Sequence, residues 1–219
     1  HSLVCETADG EEIVPADIVL SSMPVKDLVA GLRGADIPPA AAEAAATLPY
    51  RDFVTIGLLV DKLNLENRTK HKTLGGLVPD CWIYVQEPEV KMGRIQIFNN
   101  WSPYMVEDPE HTVWIGLEYF CTEGDDFWNM EEDACAAFAQ QELISMGILS
   151  PGAVRGFHRE GVKKAYPAYF DGYRNMDAVI AFLNGFDNLY CIGRNGQHRY
   201  NNMDHSMATA FEAVDNIRS

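Results

Sequence analysis

Residues 193–207 carry the run GRNGQHRYNNMDHSM, directly after the apolar stretch 189–192. The run places a glycine and a polar loop between a predicted strand and a predicted last helix. A strand, a glycine turn and a helix in this order expose backbone N–H groups at the helix N-terminus, where an anion or a carbonyl oxygen can be held. Asn202 or Asp204 is suited to cap that helix. A hydrated connection with an ordinary cap fits the same residues equally well.

Upstream of this run, β-branched and aromatic stretches alternate with amphipathic ones. Strands are predicted over residues 53–60, 81–85, 94–98 and 112–120. Helices are predicted over residues 25–32, 38–46, 131–146 and 175–186, and three short strands that form a β-meander are predicted over the first 21 residues. Apolar stripes at helical spacing are predicted on the helix over 131–146 and on the last helix, formed by Cys135, Ala139, Leu143 and Met146 and by Met207, Phe211, Val214 and Ile217. The fold class expected is α+β, with a mixed, largely antiparallel sheet and helices packed on it.

The predicted strand 94–98 has different residues on its two faces. Period-two alternation puts Arg94, Gln96 and Phe98 on one face, and Ile95 and Ile97 on the other. The isoleucine face is expected to be buried and the arginine face to line a cleft. A salt bridge between Arg94 and one of the many carboxylates is the structural alternative. Four further aromatic residues are expected to pack rather than to bind ligands: Trp101, Trp114, Tyr169 and Tyr173.

Composition and charge exclude several classes of protein. The 47% hydrophobic content is enough for a core and rules out a disordered chain. The net charge of −15 opposes binding to nucleic acid or to an anionic membrane surface. No apolar run approaches the ~20 residues of a membrane helix. Five scattered cysteines without a CxxC pair, and six histidines without metal-site spacing, predict a cytoplasmic protein with reduced thiols and no metal site.

The run GRNGQHRYNNMDHSM resembles the C-terminal flavin-binding motif of UDP-galactopyranose mutases and their relatives in the FAD-dependent amine oxidase and protoporphyrinogen oxidase superfamily. Residues 16–24, ADIVLSSMP, resemble the strand by which the chain leaves the flavin domain in that group. Residues 93–103, GRIQIFNNWSP, resemble the mutase strand whose arginine reaches the substrate diphosphate, and residues 165–167, AYP, resemble its tyrosine-proline segment. Order and approximate spacing agree over nearly the whole chain.

The sequence also departs from that family. The GxGxxG turn that holds the FAD pyrophosphate is absent, and the chain starts at His1 without a methionine. We therefore expect the C-terminal part of a longer flavoprotein, with the N-terminal dinucleotide-binding half as its missing partner. The loop from Tyr200 to Asp204 is shorter than in eukaryotic-type mutases, and Met203 stands where the family has a glutamine.

The resemblance implies a domain division and a set of ligand contacts. Residues 1–22 and 188–219 would complete the FAD-binding domain and lie together, and residues 23–187 would form the substrate domain. The residues implied to contact FAD are Gly193, Arg194, Asp204, His205 and Ser206. The residues implied to hold a substrate diphosphate are Arg94, Tyr166, Tyr200 and Asn202. Arginine forks and phenol hydroxyls suit phosphate oxygens.

Three functions remain open from the sequence. The first is a mutase-like flavoenzyme that acts on a nucleotide sugar through reduced FAD, with no catalytic side chain required. The second is an amine oxidase or protoporphyrinogen oxidase-like enzyme that transfers hydride to the flavin. The third is a non-catalytic acidic interaction domain. A basic diphosphate clamp of Arg94 and Arg194 favours the first, whereas the missing dinucleotide-binding half leaves the third open for this chain alone.

Overall fold

A computed structural model describes residues 2–169, 173 and 175–219. The chain divides into two compact units. The terminal unit comprises His1–Tyr50 and Tyr166–Ser219, and the central unit comprises Arg51–Ala165. The strands are β1 (Ser2–Thr7), β2 (Gly10–Pro15), β3 (Val19–Ser21), β4 (Tyr50–Val60), β5 (Trp82–Tyr84), β6 (Arg94–Ile97), β7 (Val113–Cys121), β8 (Val154–Pro167) and β9 (Leu189–Cys191). The helices are α1 (Val25–Gly31), α2 (Pro39–Thr47), α3 (Phe98–Trp101), α4 (Glu132–Ser145), α5 (Met176–Leu183), α6 (Gly193–Gly196) and α7 (Met203–Arg218).

The central unit is built on a five-stranded sheet in the order β5-β6-β7-β4-β8. The pairs β5–β6, β6–β7 and β4–β7 are antiparallel. This sheet, with helix α4 and the smaller elements of the chain, confirms the predicted α+β class. The predicted strands and helices are present with bounds that differ by a few residues, whereas β8 was not predicted because its sequence, VRGFHREGVKKAYP, is interrupted by two glycines and lacks an apolar alternation.

One face of the central sheet forms the core of this unit with α4. Ile95 and Ile97 are buried as predicted, together with Leu117 on the neighbouring strand. The predicted stripe on α4 packs into the same cluster through Cys135 and Leu143. Apolar side chains at every second strand position therefore explain why this face is covered.

The other face of the central sheet carries aromatic rings over glycines. A Cβ placed on Gly57 would lie 2.8 Å from Cζ2 of Trp114, and one on Gly116 would lie 2.8 Å from Cζ of Phe98. Such distances are too short for a methyl group, so the rings occupy the space that a side chain would take. Trp101, expected in the core, is instead 50% exposed, because it ends the short helix α3.

The terminal unit joins the two ends of the chain. β3 pairs with β9 in parallel, with Val19 opposite Leu189 and Ser21 opposite Cys191, so these two short strands from distant parts of the sequence lie side by side. The predicted three-stranded meander is wrong, because β1 and β2 form a separate hairpin and β3 belongs to this parallel pair.

The core of the terminal unit draws on several helices. Its buried residues come mainly from α1, α2 and α5. Because these helices belong to the terminal unit, the boundaries between the two units fall near residues 50 and 166. The division implied by the resemblance falls near residues 22 and 188. Helix α7 buries Ala213, while Met207, Phe211 and Val214 on its predicted apolar stripe are exposed.

Candidate functional site

The connection from β9 to α6 begins with a glycine that the backbone requires. Gly193 has φ +73°, in the left-handed region where residues with a Cβ are disfavoured. Its N–H donates to Oγ1 of Thr209 on α7 at 2.8 Å. The bond ties the end of β9 to the last helix, so the polar loop between them is fixed at both ends.

The side chain of Arg194 lies at the centre of this loop. Its Nε and Nη2 both donate to the carbonyl oxygen of Asn201, at 3.1 and 2.6 Å. The guanidinium carbon lies 4.8 Å from the ring centroid of Tyr166 and 5.2 Å from that of Tyr200. The two phenol rings are stacked, with centroids 5.8 Å apart and an interplanar angle of 24°. The structure thus brings together three residues that the sequence assigned to ligands, and Arg194 also anchors the loop itself.

Two further bonds hold the loop, each with one partner that the sequence did not assign to the site: Tyr169 in the first and Asn201 in the second. The N–H of Tyr200 donates to Oη of Tyr169, and Oγ of Ser206 donates to Oδ1 of Asn201 at 3.1 Å. Asn201 is buried, whereas Tyr200 is 52% exposed. The run Tyr200-Asn201-Asn202 consists of neighbouring polar residues and gives no sequence signal for which of them turns inward, so this division of roles is visible only in the structure.

The N-terminus of α7 presents backbone N–H groups without a side-chain cap. Asn202 occupies the N-cap position, but its side chain makes no capping bond, contrary to the expectation that Asn202 or Asp204 caps the helix. Asp204 and His205 are exposed, with His205 Nδ1 3.2 Å from Asp204 Oδ1. An uncapped helix N-terminus carries partial positive charge and favours an electronegative group.

A fully buried histidine lies in the same loop. His198 packs edge-on against Tyr50, with centroids 4.8 Å apart, and its ring stacks with Tyr173 at 6.0 Å. Neither ring nitrogen makes a hydrogen bond of standard geometry with the residues that the structure describes. Burial lowers the pKa of His198 below its usual value, with a smaller opposing effect from the backbone of Ala168. Burial likewise raises the pKa of Tyr50 to about 12.

In the central unit, Arg94 forms an ion pair with Glu118 on the neighbouring strand. Both residues are buried, at 7% and 2% exposure. Nε2 of Gln96 donates to the other oxygen of Glu118 at 2.6 Å. The pairing is the one that the salt-bridge alternative predicts. A substrate contact of Arg94 stays a prediction.

The structure divides the predicted site residues between the two units. Arg94 belongs to the central unit, and all the others belong to the terminal unit.

Among the described residues, no three His, Cys, Asp or Glu side chains are grouped to hold a metal ion. All five cysteines are free thiols. Within the described part of the chain, no helix is long and apolar enough to cross a membrane.

Comparison with solved structures relates this fold to known proteins. A crystal structure of reduced UDP-galactopyranose mutase matches 96% of the chain with a TM-score of 0.76 at 23% identity. The chain therefore has the fold of the part of UDP-galactopyranose mutase that it matches. A putative protoporphyrinogen oxidase from Exiguobacterium sp. 255-15 matches 99% of the chain with a TM-score of 0.66 at 15% identity. An oxidoreductase from Methanosarcina mazei matches 97% with a TM-score of 0.54 at 12% identity.

The likeness to UDP-galactopyranose mutase and to the two oxidoreductases confirms, as a similarity of fold, the resemblance found in the sequence. The chain spans less than half of each of these three structures: 42% of the mutase, 44% of the putative oxidase and 47% of the M. mazei protein. No family model and no curated protein matches the sequence.

Proposed function

We propose that the chain is the C-terminal part of an FAD-dependent enzyme that acts on a nucleotide sugar as UDP-galactopyranose mutase does. The observation that carries this proposal is the match of 96% of the chain to the mutase fold. The motif that resembles the family's flavin-binding run lies at the strand–glycine–helix connection, where such a ligand would be held. The remaining dinucleotide-binding half of the protein is the proposed partner of this chain.

The residues at the start of α7 fit a flavin. The uncapped N–H groups of its first turn suit an electronegative carbonyl oxygen, and Asp204, His205 and Ser206 lie in that turn. Gly193 and Arg194 would border the same ligand from the end of β9. Bound FAD would supply the redox or nucleophilic chemistry, while these residues would bind and orient it.

The proposed substrate contacts are Tyr166, Tyr200 and Asn202 in the terminal unit, with Arg94 in the central unit. The stacked phenol rings have the Arg194 guanidinium over both of them, which supports an anionic group at this place. Hydroxyl donors held beside a cation suit the oxygens of a diphosphate. These contacts make a nucleotide sugar the proposed substrate, and isomerisation of its sugar the proposed reaction.

An oxidase-like function is the second candidate, and the pairing of Arg94 favours it. A diphosphate clamp needs available positive charge, whereas Glu118 balances that of Arg94. The fold likeness to a putative protoporphyrinogen oxidase supports the same candidate. The reaction would then be oxidation of the substrate by transfer of a hydride to bound FAD, with no requirement for UDP.

The free thiols support a reducing compartment, so we place the enzyme in the cytoplasm.

The proposal is tested with the full-length protein. Purified protein should carry flavin absorbance, and the reduced form should bind UDP and UDP-galactose in a calorimetric titration. Flavin without nucleotide binding would reject the mutase-like function in favour of the oxidase-like one. A colourless protein that binds neither FAD nor nucleotide would reject both and favour an interaction domain.

A further inference from the structure

Three polar side chains form a cluster on the aromatic face of the central sheet. Arg94 on β6 stands directly opposite Glu118 on β7, and Gln96 lies two residues further along β6. All three lie on the side of the sheet away from Ile95 and Ile97, which belong to the buried core. We call Arg94, Gln96 and Glu118 the sheet cluster.

Contacts hold the guanidinium of the sheet cluster from several directions. Nη2 of Arg94 donates to one carboxylate oxygen of Glu118, and Gln96 donates to the other. The guanidinium carbon lies 5.0 Å from the ring centroid of Trp82 and 5.1 Å from that of Phe120. These rings come from β5 and β7, the strands on either side of β6. The orientation of Arg94 is therefore fixed by its neighbours before any ligand arrives.

The formal charges within the sheet cluster cancel. Arg94 contributes one positive charge, Glu118 one negative charge, and Gln96 none. An anion that approaches Arg94 also approaches the carboxylate of Glu118, which repels it. Because both side chains are largely buried, water and salt screen this repulsion only weakly. Attraction by net charge is thereby lost, and directed hydrogen bonds become the means of recognition.

We propose that Glu118 is a specificity-determining residue, which positions Arg94 and cancels its charge so that the sheet cluster rejects simple polyanions. A ligand would be selected by the placement of its oxygen atoms rather than by its charge alone. A free inorganic polyphosphate gains little at such a site, whereas an oxygen-rich organic substrate with the correct geometry can bind. The inference rests on the substrate role proposed for Arg94, but its test needs no flavin chemistry.

The test measures binding of inorganic pyrophosphate to the full-length protein and to three variants. Glu118→Gln removes the negative charge with little change in shape. Gln96→Lys adds a positive charge and keeps the Arg94–Glu118 pair, so it remains usable if Glu118→Gln does not fold. Glu142→Gln is the matched control, because Glu142 is also a buried carboxylate of this unit, but it accepts from Tyr119 Oη at 2.9 Å and from the N–H groups of Lys91 and Met92 at 2.5 and 3.3 Å.

We expect Glu118→Gln and Gln96→Lys to bind pyrophosphate about tenfold more tightly than the wild type at low salt. The gain should shrink markedly at about 1 M NaCl, where the screening length is about 3 Å. Bound pyrophosphate should also raise the melting temperature of both variants. Glu142→Gln should resemble the wild type in affinity and differ only in stability. Equal pyrophosphate affinity in all four proteins would overturn the inference, since a purely structural Glu118 would change the melting temperature alone.

The same proteins separate this inference from the proposed function. Titration of the wild type with UDP-galactose tests the nucleotide-sugar proposal by itself. Tighter pyrophosphate binding in the two variants, with no UDP-galactose binding in the wild type, would retain the role of Glu118 and reject the nucleotide sugar. UDP-galactose binding in the wild type, with no gain in pyrophosphate affinity in the variants, would retain the nucleotide sugar and reject the role of Glu118.

Discussion

The backbone of Gly57 lies against the indole ring of Trp114: a Cβ on the glycine would stand 2.8 Å from the ring atom Cζ2. The ring belongs to β7, and the glycine to β4, which pairs with it. A methyl group at 2.8 Å from a ring carbon would overlap with it, so any side chain at position 57 must displace the indole or bend the strand.

Gly57→Ala should therefore lower the free energy of unfolding by about 1–3 kcal/mol, the usual cost of overpacking. Gly156→Ala on β8 is the control, because a Cβ added there would have nothing within 4 Å and the φ of Gly156 is not positive. The control should leave stability unchanged or raise it slightly. Chemical denaturation of both variants measures the difference, and equal stabilities would contradict the packing described for Trp114.

Arg94→Ala should reduce stability by about 3–5 kcal/mol, because it leaves the buried carboxylate of Glu118 without its cation. The double variant Arg94→Met/Glu118→Met removes both charges and should regain most of that loss. Thermal melts of the single and double variants check this. If Arg94→Ala is as stable as the wild type, the ion pair makes no contribution to folding.

Protonation of His198 should destabilise the fold. Its folded-state pKa is lowered by burial from the unfolded value of about 6.5, so the unfolded chain binds the proton more tightly. The contribution of His198 is complete above the unfolded pKa and decreases as the pH falls below it, by at most about 1.4 kcal/mol per pH unit. Denaturant midpoints between pH 5 and 8, compared with His198→Gln, measure this dependence.

A control histidine should show the opposite trend. The hydrogen bond and charge of Asp108 raise the pKa of exposed His111, so its contribution is present at low pH and decreases as the pH rises through its folded pKa. Replacing His111 should therefore leave the acid-side loss intact. A loss that disappears in His111→Gln rather than in His198→Gln would refute the assignment to His198.

Tyr169→Phe should speed hydrogen exchange at the Tyr200 amide, because that N–H donates to the Tyr169 hydroxyl. The amide of Gly193, which donates to Thr209, serves as an internal reference and should exchange at its wild-type rate. Exchange followed by NMR distinguishes the two positions. An unchanged rate at Tyr200 would show that the Tyr169 hydroxyl does not protect this amide.

The sequence predicted the parts of this protein that follow from periodicity. Burial of Ile95 and Ile97 was predictable from alternation, and the stripe on α4 from helical spacing. The partner of Arg94 could not be named, because 32 acidic residues offered candidates and strand register decides among them. The exposure of Trp101 also depends on tertiary context, because its position at the end of a short helix leaves the side chain exposed.

The candidate site was predicted as a segment but not as a set of contacts. The segment 193–207 was located from its polar residues between a strand and a helix, and the structure confirms those elements. The bonds from Arg194 to Asn201 and the burial of His198 depend on a turn in which His198 adopts φ +46°. Only a few per cent of non-glycine residues adopt a positive φ, so the sequence did not predict this turn at His198.

The parallel pairing of β3 with β9 has a consequence for synthesis of the chain. The N–H of Val19 donates to the carbonyl oxygen of Asn188, next to the first residue of β9. Because β9 lies far behind β3 in the sequence, β3 leaves the ribosome long before its partner strand exists. The central unit is continuous in sequence and can acquire its sheet while translation proceeds. The core of the terminal unit must wait for α5 and β9, and Val25 and Leu28 of α1 stay exposed to chaperones and proteases until these elements are made.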